Sequence, residues 1–425
     1  MKHAVTEHRL ASGARGLVID VPGSSVLNLE VRFNSGFSLG DMKHYELPHV
    51  LEHMLATVSQ KYPQPNAFMI EAQKNGAYVN ASTGVRANSY IYEFAPFELE
   101  RMLDLVEEQI ARPYFVTDRL AGEIGNVREE LTRNTTQPGA QVSMALLAAA
   151  VPGQWLDYEA RIAQLPKLNV TLLEAYYHRT HTSQNAFFSV AGDVGEGDQI
   201  VQRLEAAFRQ LPQGKPIAWT SQRGRRLDEP VVRKMPIGQV YYRVARSLPE
   251  LSLPQRRAMA VLRTALVGGM GSRILGKARE RGWAYSVGGM FSSEPGSATA
   301  GFGGYVTKDH ARDLFELMDQ QLQNVAAHGL TNTELADTVR LMTGNWLRAL
   351  QTPADVLGWY SEDYDEWGII RDFDTEVAAI RDVSGQAVQE VAAYMLHEGR
   401  PAAAFVGDLS VAEAHDYALA MGKLY

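Results

Sequence analysis

Leu47-Pro-His-Val-Leu-Glu-His-Met-Leu55 is the stretch on which the reading of this chain turns. As a helix it sets His49 and His53 one turn apart on a single face, with Glu52 a fraction of a turn away. Two imidazoles so placed reach one Zn²⁺, and the neighbouring carboxylate points at the ion's open coordination position. Leu47, Val50, Leu51, Met54 and Leu55 surround the polar trio. That pattern describes a helix buried in a core and carrying a polar site inward, in contrast to a solvated charged face. The order His-x-x-Glu-His suits metal-assisted hydrolysis, in which a carboxylate beside the ion takes a proton from water.

A third ligand has to come from elsewhere, and Thr117-Asp-Arg-Leu-Ala-Gly-Glu-Ile-Gly-Asn-Val-Arg-Glu-Glu-Leu-Thr-Arg133 is the region to supply it. Asp118 in its first turn and Arg133 in its last complement a helix dipole, and Leu120, Ile124, Val127 and Leu131 recur at helical spacing. Glu123 and Glu130 fall two turns apart on one face, so either reaches a metal. Surface pairing with Arg119, Arg128 or Arg133 explains such glutamates equally well, and the residues alone leave the choice open.

His49-Val-Leu-Glu-His53, followed by Glu130 in Asn126-Val-Arg-Glu-Glu-Leu131, resembles the pitrilysin and mitochondrial processing peptidase family of zinc metallopeptidases, the inverzincins. The resemblance implies that His49, His53 and Glu130 hold one zinc per chain, that Glu52 is the general base, and that Glu123 supports the site. Glu129 competes for the ligand role but lies about 100° round the helix from Glu130. The likeness continues in Gly76-Ala-Tyr-Val-Asn-Ala-Ser-Thr83, similar to the family's edge strand, which implies that Asn80, Ala81 and Thr83 pair with an extended peptide. An edge strand offers unpaired N–H and C=O groups that any peptide main chain satisfies. Asn185-Ala-Phe-Phe-Ser-Val-Ala-Gly-Asp193 resembles the strand and turn closing the first domain. The implied fold is α+β, of the LuxS/processing-peptidase-like kind, with two similar domains of mixed or antiparallel sheet and packed helices.

The second half repeats the plan of the first. The strand at Gly76-Ala-Tyr-Val79 and the helices Phe97 to Arg112 and Asp118 to Arg133 recur as Trp283-Ala-Tyr-Ser-Val287, His310 to Ala327 and Thr331 to Arg348. A repeat of whole-domain size predicts a zinc-binding domain over 1–212, a Gly/Pro-punctuated linker over 213–232, and a C-terminal domain over 233–425. The segment Ala258 to Leu266, corresponding to the first half's metal helix, holds no metal-binding set. In the family the second half contributes an Arg and a Tyr that hold substrate. Here Lys277-Ala-Arg-Glu-Arg-Gly-Trp-Ala-Tyr285 supplies Tyr285 and a structural Arg281, but Ala278 stands at the substrate-binding Arg's place. Lys277 or Arg279 would substitute only with a shifted backbone, because a neighbouring helical residue points about 100° away.

A formal charge of −8 without long acidic runs argues against nucleic acid or an anionic membrane as partner. With no cysteine, zinc must use nitrogen and oxygen ligands. No run approaches the ~20 apolar residues of a membrane span and the first residues lack a signal-like apolar region, so a cytoplasmic location is expected. His178 and His181 read as charges at a helix end, Gly268-Gly-Met-Gly-Ser-Arg273 as a Gly-rich turn without the phosphate-loop ending, and Trp359 and Trp367 as core. The expectation is a zinc endopeptidase acting on peptides or unfolded segments, working as a homodimer or as a heterodimer with a related chain. The alternatives are a zinc-carrying subunit active only with a partner that brings the Arg and Tyr, and a non-proteolytic scaffold subunit.

Overall fold

Val18 and Ile19 in one strand and the uninterruptedly buried run Ala186-Phe-Phe-Ser-Val-Ala-Gly192 in another are buried on both faces, as central strands under two helical layers must be. In the computed structural model, which describes residues 2–151, 153–195 and 197–425, these two strands lie side by side. They belong to the first of two compact units, made of Met1–Thr132, Glu159–Trp219 and Arg348–Ile370. Its six strands are β1 (Ala4–Arg9), β2 (Arg15–Asp20), β3 (Leu27–Phe33), β4 (Tyr78–Thr83), β5 (Asn88–Phe94) and β6 (Ala186–Gly192). They are ordered β1-β2-β6-β3-β5-β4, parallel only between β2 and β6. β4 is therefore an edge. Its Val79 points inward while Tyr78, Asn80 and Ser82 are exposed, the period-two alternation of a half-buried strand.

The second unit takes Arg133–Tyr158, Thr220–Leu347 and Arg371–Tyr425. Its strands β7 (Val231–Lys234), β8 (Gln239–Pro249), β9 (Val287–Glu294), β10 (Ser297–Thr307) and β11 (Arg400–Gly407) are ordered β7-β11-β8-β10-β9, parallel only between β7 and β11. This is the path of β2-β6-β3-β5-β4 drawn again, and the expected repeat and α+β class are both present. The expected helices appear as Leu99–Ala111, Thr117–Thr135, Ala311–His328 and Asn332–Ala349.

The contiguous halves expected over 1–212 and 233–425 are not the compact units. The helix Pro138–Ala150, from the first half, belongs to the second unit, and Pro353–Trp367, from the second half, belongs to the first. The physical reason is that each sheet has two apolar faces. Val142, Ala145, Leu146 and Ala150 pack on Ala402, Ala404 and Val406, while Val356, Leu357, Tyr360 and Tyr364 pack on Leu17, Ile19, Phe187 and Ala191. Burying one such large side chain stabilises by roughly 1.5–3 kcal/mol, so a few anchors outweigh nearness in sequence. Gly368, at φ 67°, ends the second of these helices in the left-handed conformation that glycine adopts without strain. The expected linker has no helix or strand until β7 begins at Val231. Among the described residues no helix is long and apolar enough to cross a membrane.

Candidate metal centre

The helix Leu47–Thr57 is buried on nearly every side: Val50, Leu51, Met54 and Leu55 are at most 1% exposed, and His49 and Glu52 are buried with them. Pro48 sits in its first turn, where a missing N–H costs nothing. His49 and His53 lie edge to face with ring centroids 4.9 Å apart. From the helix Thr117–Thr135, which turns Leu120, Val127 and Leu131 to the core, Glu130 reaches both rings. Its Oε2 stands 3.6 Å from His49 Nε2 and 3.8 Å from His53 Nε2. Glu129 is exposed, so the competing assignment falls away.

The other nitrogen of each ring is engaged by a different carboxylate. His49 Nδ1 donates to Glu46 Oε2 at 2.9 Å, and His53 Nδ1 donates to Glu123 Oε2 at 3.2 Å. Glu123 is itself held by Thr57 Oγ1 at 2.9 Å and Asn126 Nδ2 at 3.0 Å. Both Nε2 atoms are thereby left to face Glu130. Two ligands about 2.0–2.1 Å from a tetrahedral zinc stand roughly 3.4 Å apart, so the observed separations match a zinc-sized gap to within a few tenths of an ångström. One ligand atom each from His49, Glu52 and His53 also falls within 4.8 Å of the others. The nitrogen and oxygen donors fit zinc.

Electrostatics follow the same geometry. Burial works to lower the His53 pKa, but hydrogen bonds from Glu123 and Glu130 prevail and lift it to about 10. His49 is raised in the same way, burial being overcome by Glu130 and Glu46. Hydrogen bonds from the two imidazoles drive the Glu130 carboxyl far below its ordinary range. Glu52 moves oppositely: burial pushes it up, only partly countered by the charges of His53 and His49. Its Oε2 accepts from Thr83 Oγ1 at 3.1 Å, which ties the base candidate to the end of edge strand β4. Thr83 accepts in turn from Asn88 Nδ2 at 2.9 Å. Asn80 is exposed along the edge and Ala81 is half-buried.

In the second unit Tyr285 is 73% exposed just before edge strand β9. Ala278 is fully buried and points into the core. Arg279, one of the two residues expected to take the missing Arg's place only with a shifted backbone, lies beside Tyr285. The helix Leu275–Glu280 is followed by Gly282 at φ 69°, and the chain turns back so that Arg279 Nη1 donates to the Tyr285 carbonyl at 2.9 Å with its guanidinium 4.3 Å from the ring centroid. Arg281 lies over Trp283 instead. Arg273, after the Gly-rich turn, is engaged by Glu334 and Asn324. His181 is no helix-end charge but a fully buried neutral ring. Trp359 packs on the core as expected.

Glu46 and Arg161 were not singled out by sequence reasoning. Glu46 precedes His49 by one helical turn, and that spacing was an available signal; nothing in the sequence ties Arg161 to it.

His49, Glu52, His53 and Glu130 fall wholly within residues 25–160, the stretch matched by the family described as insulinase (peptidase family M16). Residues 167–342, including Ala278, Arg279 and Tyr285, match the peptidase M16 inactive domain. An uncharacterized zinc protease of Streptomyces coelicolor is 27% identical over 383 residues, which is 86% of this chain and 81% of that protein. One from Mycobacterium leprae is 23% identical over 84% of this chain and 82% of its own. A protease from Helicobacter pylori superposes with a TM-score of 0.85 at 16% identity, over 95% of this chain and all of that one, a likeness that speaks to fold alone. Because the two matched stretches follow one another across both units, and the donor set stands where the first of them lies, the chain belongs to peptidase family M16.

Proposed function

We propose that the chain is a zinc-dependent endopeptidase that binds extended peptide segments along β4 and hydrolyses them beside Glu52. The observation that carries the reading is the convergence of His49 Nε2 and His53 Nε2 on one oxygen of Glu130, with the buried Glu52 carboxyl tied to the end of an unpaired strand edge. His49, His53 and Glu130 would hold the ion. Bound there, zinc supplies Lewis-acid polarisation of a carbonyl and acidifies water.

The chain's own residues do the rest. The free N–H and C=O groups of β4 around Asn80, Ala81 and Thr83 pair with the peptide backbone. Glu52, its pKa raised by burial, accepts a proton from the attacking water as that oxygen bonds to the scissile carbon. The same carboxyl then delivers the proton to the amine nitrogen as the C–N bond breaks. Thr83 holds one oxygen of Glu52, which fixes the direction of the other. Glu123 keeps His53 in the tautomer that presents Nε2 outward. Tyr285 and Arg279 would contribute a phenol and a guanidinium to substrate binding.

A second reading is supported by the burial of Ala278, which leaves the family's Arg position without a cation. On that reading a related chain brings the Arg and Tyr, and this chain alone binds zinc without cleaving. One experiment separates the two. The purified chain is assayed on a quenched-fluorescence peptide library, with zinc content and a chelator control on the same sample. Chelator-sensitive cleavage with one zinc per chain supports the self-sufficient peptidase, and bound zinc without cleavage supports the partner-dependent one. Glu52→Gln is expected to keep zinc and lose about 10²–10⁴-fold in hydrolysis, whereas His49→Ala loses both. Full activity in the Gln variant removes Glu52 from the role of base.

A further inference from the structure

The two metal-facing imidazoles are braced by carboxylates in chemically different settings. Glu123 is 12% exposed at its side chain and is satisfied by neutral donors, the Thr57 hydroxyl and the Asn126 amide. Glu46 is entirely buried, and its second partner is a cation: Arg161 Nε donates to Oε1 at 2.5 Å and Nη2 to Oε2 at 3.3 Å. Arg161 arrives from the helix Tyr158–Gln164, far away in sequence, and is itself only 6% exposed. Its guanidinium lies 4.9 Å from the Phe37 ring and 5.4 Å from Tyr45, two rings stacked on each other. Phe37 also meets the His49 ring edge to face. The whole assembly belongs to the first unit.

An unpaired carboxylate buried here would be strongly disfavoured. Arg161 supplies the counter-charge through two charge-assisted N–H···O bonds. An acceptor at Nδ1 fixes the ring's orientation and, in the neutral ring, keeps the proton on that atom, so that Nε2 is the nitrogen turned to the metal side. It does so as a neutral ion pair, without adding net negative charge behind the imidazole. Glu46 also caps nothing: no hydrogen bond runs from its side chain to the helix backbone, although it stands at the N-cap. Its side chain is spent on His49 and Arg161.

We infer that Glu46 and Arg161 act as one positioning unit for His49 and set the affinity of the centre for zinc. The inference rests on the zinc reading above and goes beyond it by assigning metal affinity to two residues that cannot themselves reach the ion. The test measures zinc dissociation constants by competition with a chromophoric chelator, for wild type, Glu46→Gln, Arg161→Lys, Arg161→Met and the Glu46→Gln/Arg161→Met double variant. Thermal unfolding is followed on each, and cobalt(II) serves as an optical probe of ligand geometry. Glu46→Gln and Arg161→Met are expected to weaken zinc about 10–100-fold and to alter the cobalt spectrum. The double variant should be little worse than either single one, because each breaks the same unit. Arg161→Lys, which keeps the charge but loses the fork, should fall between.

A folded Glu46→Gln with zinc affinity within twofold of wild type and an unchanged cobalt spectrum overturns the inference while leaving the zinc reading intact. Additive losses in the double variant overturn the claim that the pair acts as a unit. A wild-type chain that takes up no zinc overturns both. Should Glu46→Gln fail to fold, Arg161→Lys decides: unchanged affinity and spectrum in that variant refute the assignment.

Discussion

His181 offers a prediction whose size follows from the structure. The ring is fully buried, stacked on Phe33 at 4.3 Å and on Tyr177 at 5.4 Å, with Nε2 2.9 Å from the Tyr90 hydroxyl and Nδ1 3.1 Å from Thr180 Oγ1. Among these partners there is no carboxylate to stabilise an imidazolium, and burial pulls its pKa from 6.5 down to about 3. The unfolded chain therefore binds a proton that the folded one refuses. Stability from this group is present in full above pH 6.5 and is lost as pH falls from there towards 3. Crossing the whole window costs about 5 kcal/mol, and lowering the pH from 7.5 to 5.0 costs about 2 kcal/mol. The assay is urea unfolding of wild type and His181→Gln at both values, with chelator present throughout so that zinc does not intervene. The other titrating groups contribute equally to both proteins and cancel in the difference. The advantage of wild type over the Gln variant should shrink by about 2 kcal/mol at the lower pH. An advantage that stays constant would mean that His181 is already protonated in the fold, or that its cavity admits a counter-charge, and would refute the argument.

Zinc uptake should release protons. Hydrogen bonds lift His53 to about 10, so in chelator-treated protein at pH 7 its ring is imidazolium and must lose a proton to become a ligand, and His49 is raised in the same direction. Titration calorimetry in buffers of different ionisation enthalpy should return about one proton or more released per zinc, with affinity rising as pH increases; no dependence on buffer would disprove it. The same raised pKa stabilises the metal-free fold fully below about pH 6.5, a contribution lost as pH rises through about 10. In the second unit, the buried Arg246 donates to the carbonyls of Met395, Leu396, Gly399, Lys423 and Leu424, closing the end of the helix Gly385–Glu398 and fixing the C-terminal tail. Arg246→Met should cost about 3 kcal/mol or more in denaturant unfolding, because several acceptors lose their donor at once. A loss under about 1 kcal/mol would show that water replaces the guanidinium.

The sequence was informative where local spacing carries the physics. The turn between His49 and His53, the two turns between Glu123 and Glu130, and the alternation of Val79 and Ala81 with polar neighbours are properties of a helix or strand considered alone. Each appears where expected. The repeat was legible too, because Tyr78 and Tyr285 each lead into an edge strand. Three features depend on contacts between distant segments and left no local trace. The exchange of Pro138–Ala150 and Pro353–Trp367 is decided by which sheet face needs cover, and an apolar helix stripe does not say which sheet it will meet. Arg161 becomes part of the centre only through the fold. Arg279 comes to Tyr285 because Gly282 turns the chain back on itself, which helical angles alone did not anticipate.

Comparing the two corresponding helices bears on why the polar set is there at all. In the second unit Leu253–Val267 fills its place with Ala258, Met259, Val261, Leu262 and Ala265, and the sheet it covers has the same strand order. The architecture thus folds without buried histidines or carboxylates at that position. In the first unit, Glu46, His49 and Glu52 are buried there, and the desolvation of such groups is only partly returned by their mutual pairing. Replacing buried ionic groups with packed apolar ones is commonly neutral or stabilising, so folding alone gives no reason to prefer them. A polar centre that departs from local packing rules, where a parallel unit follows them, is the pattern expected of a site kept for chemistry. On this argument an apolar replacement of His49, Glu52 and His53 together, patterned on the second unit's helix, should yield a chain at least as stable as chelator-treated wild type and unable to bind zinc. A large loss of stability in that variant would instead make the polar set a structural requirement of the first unit.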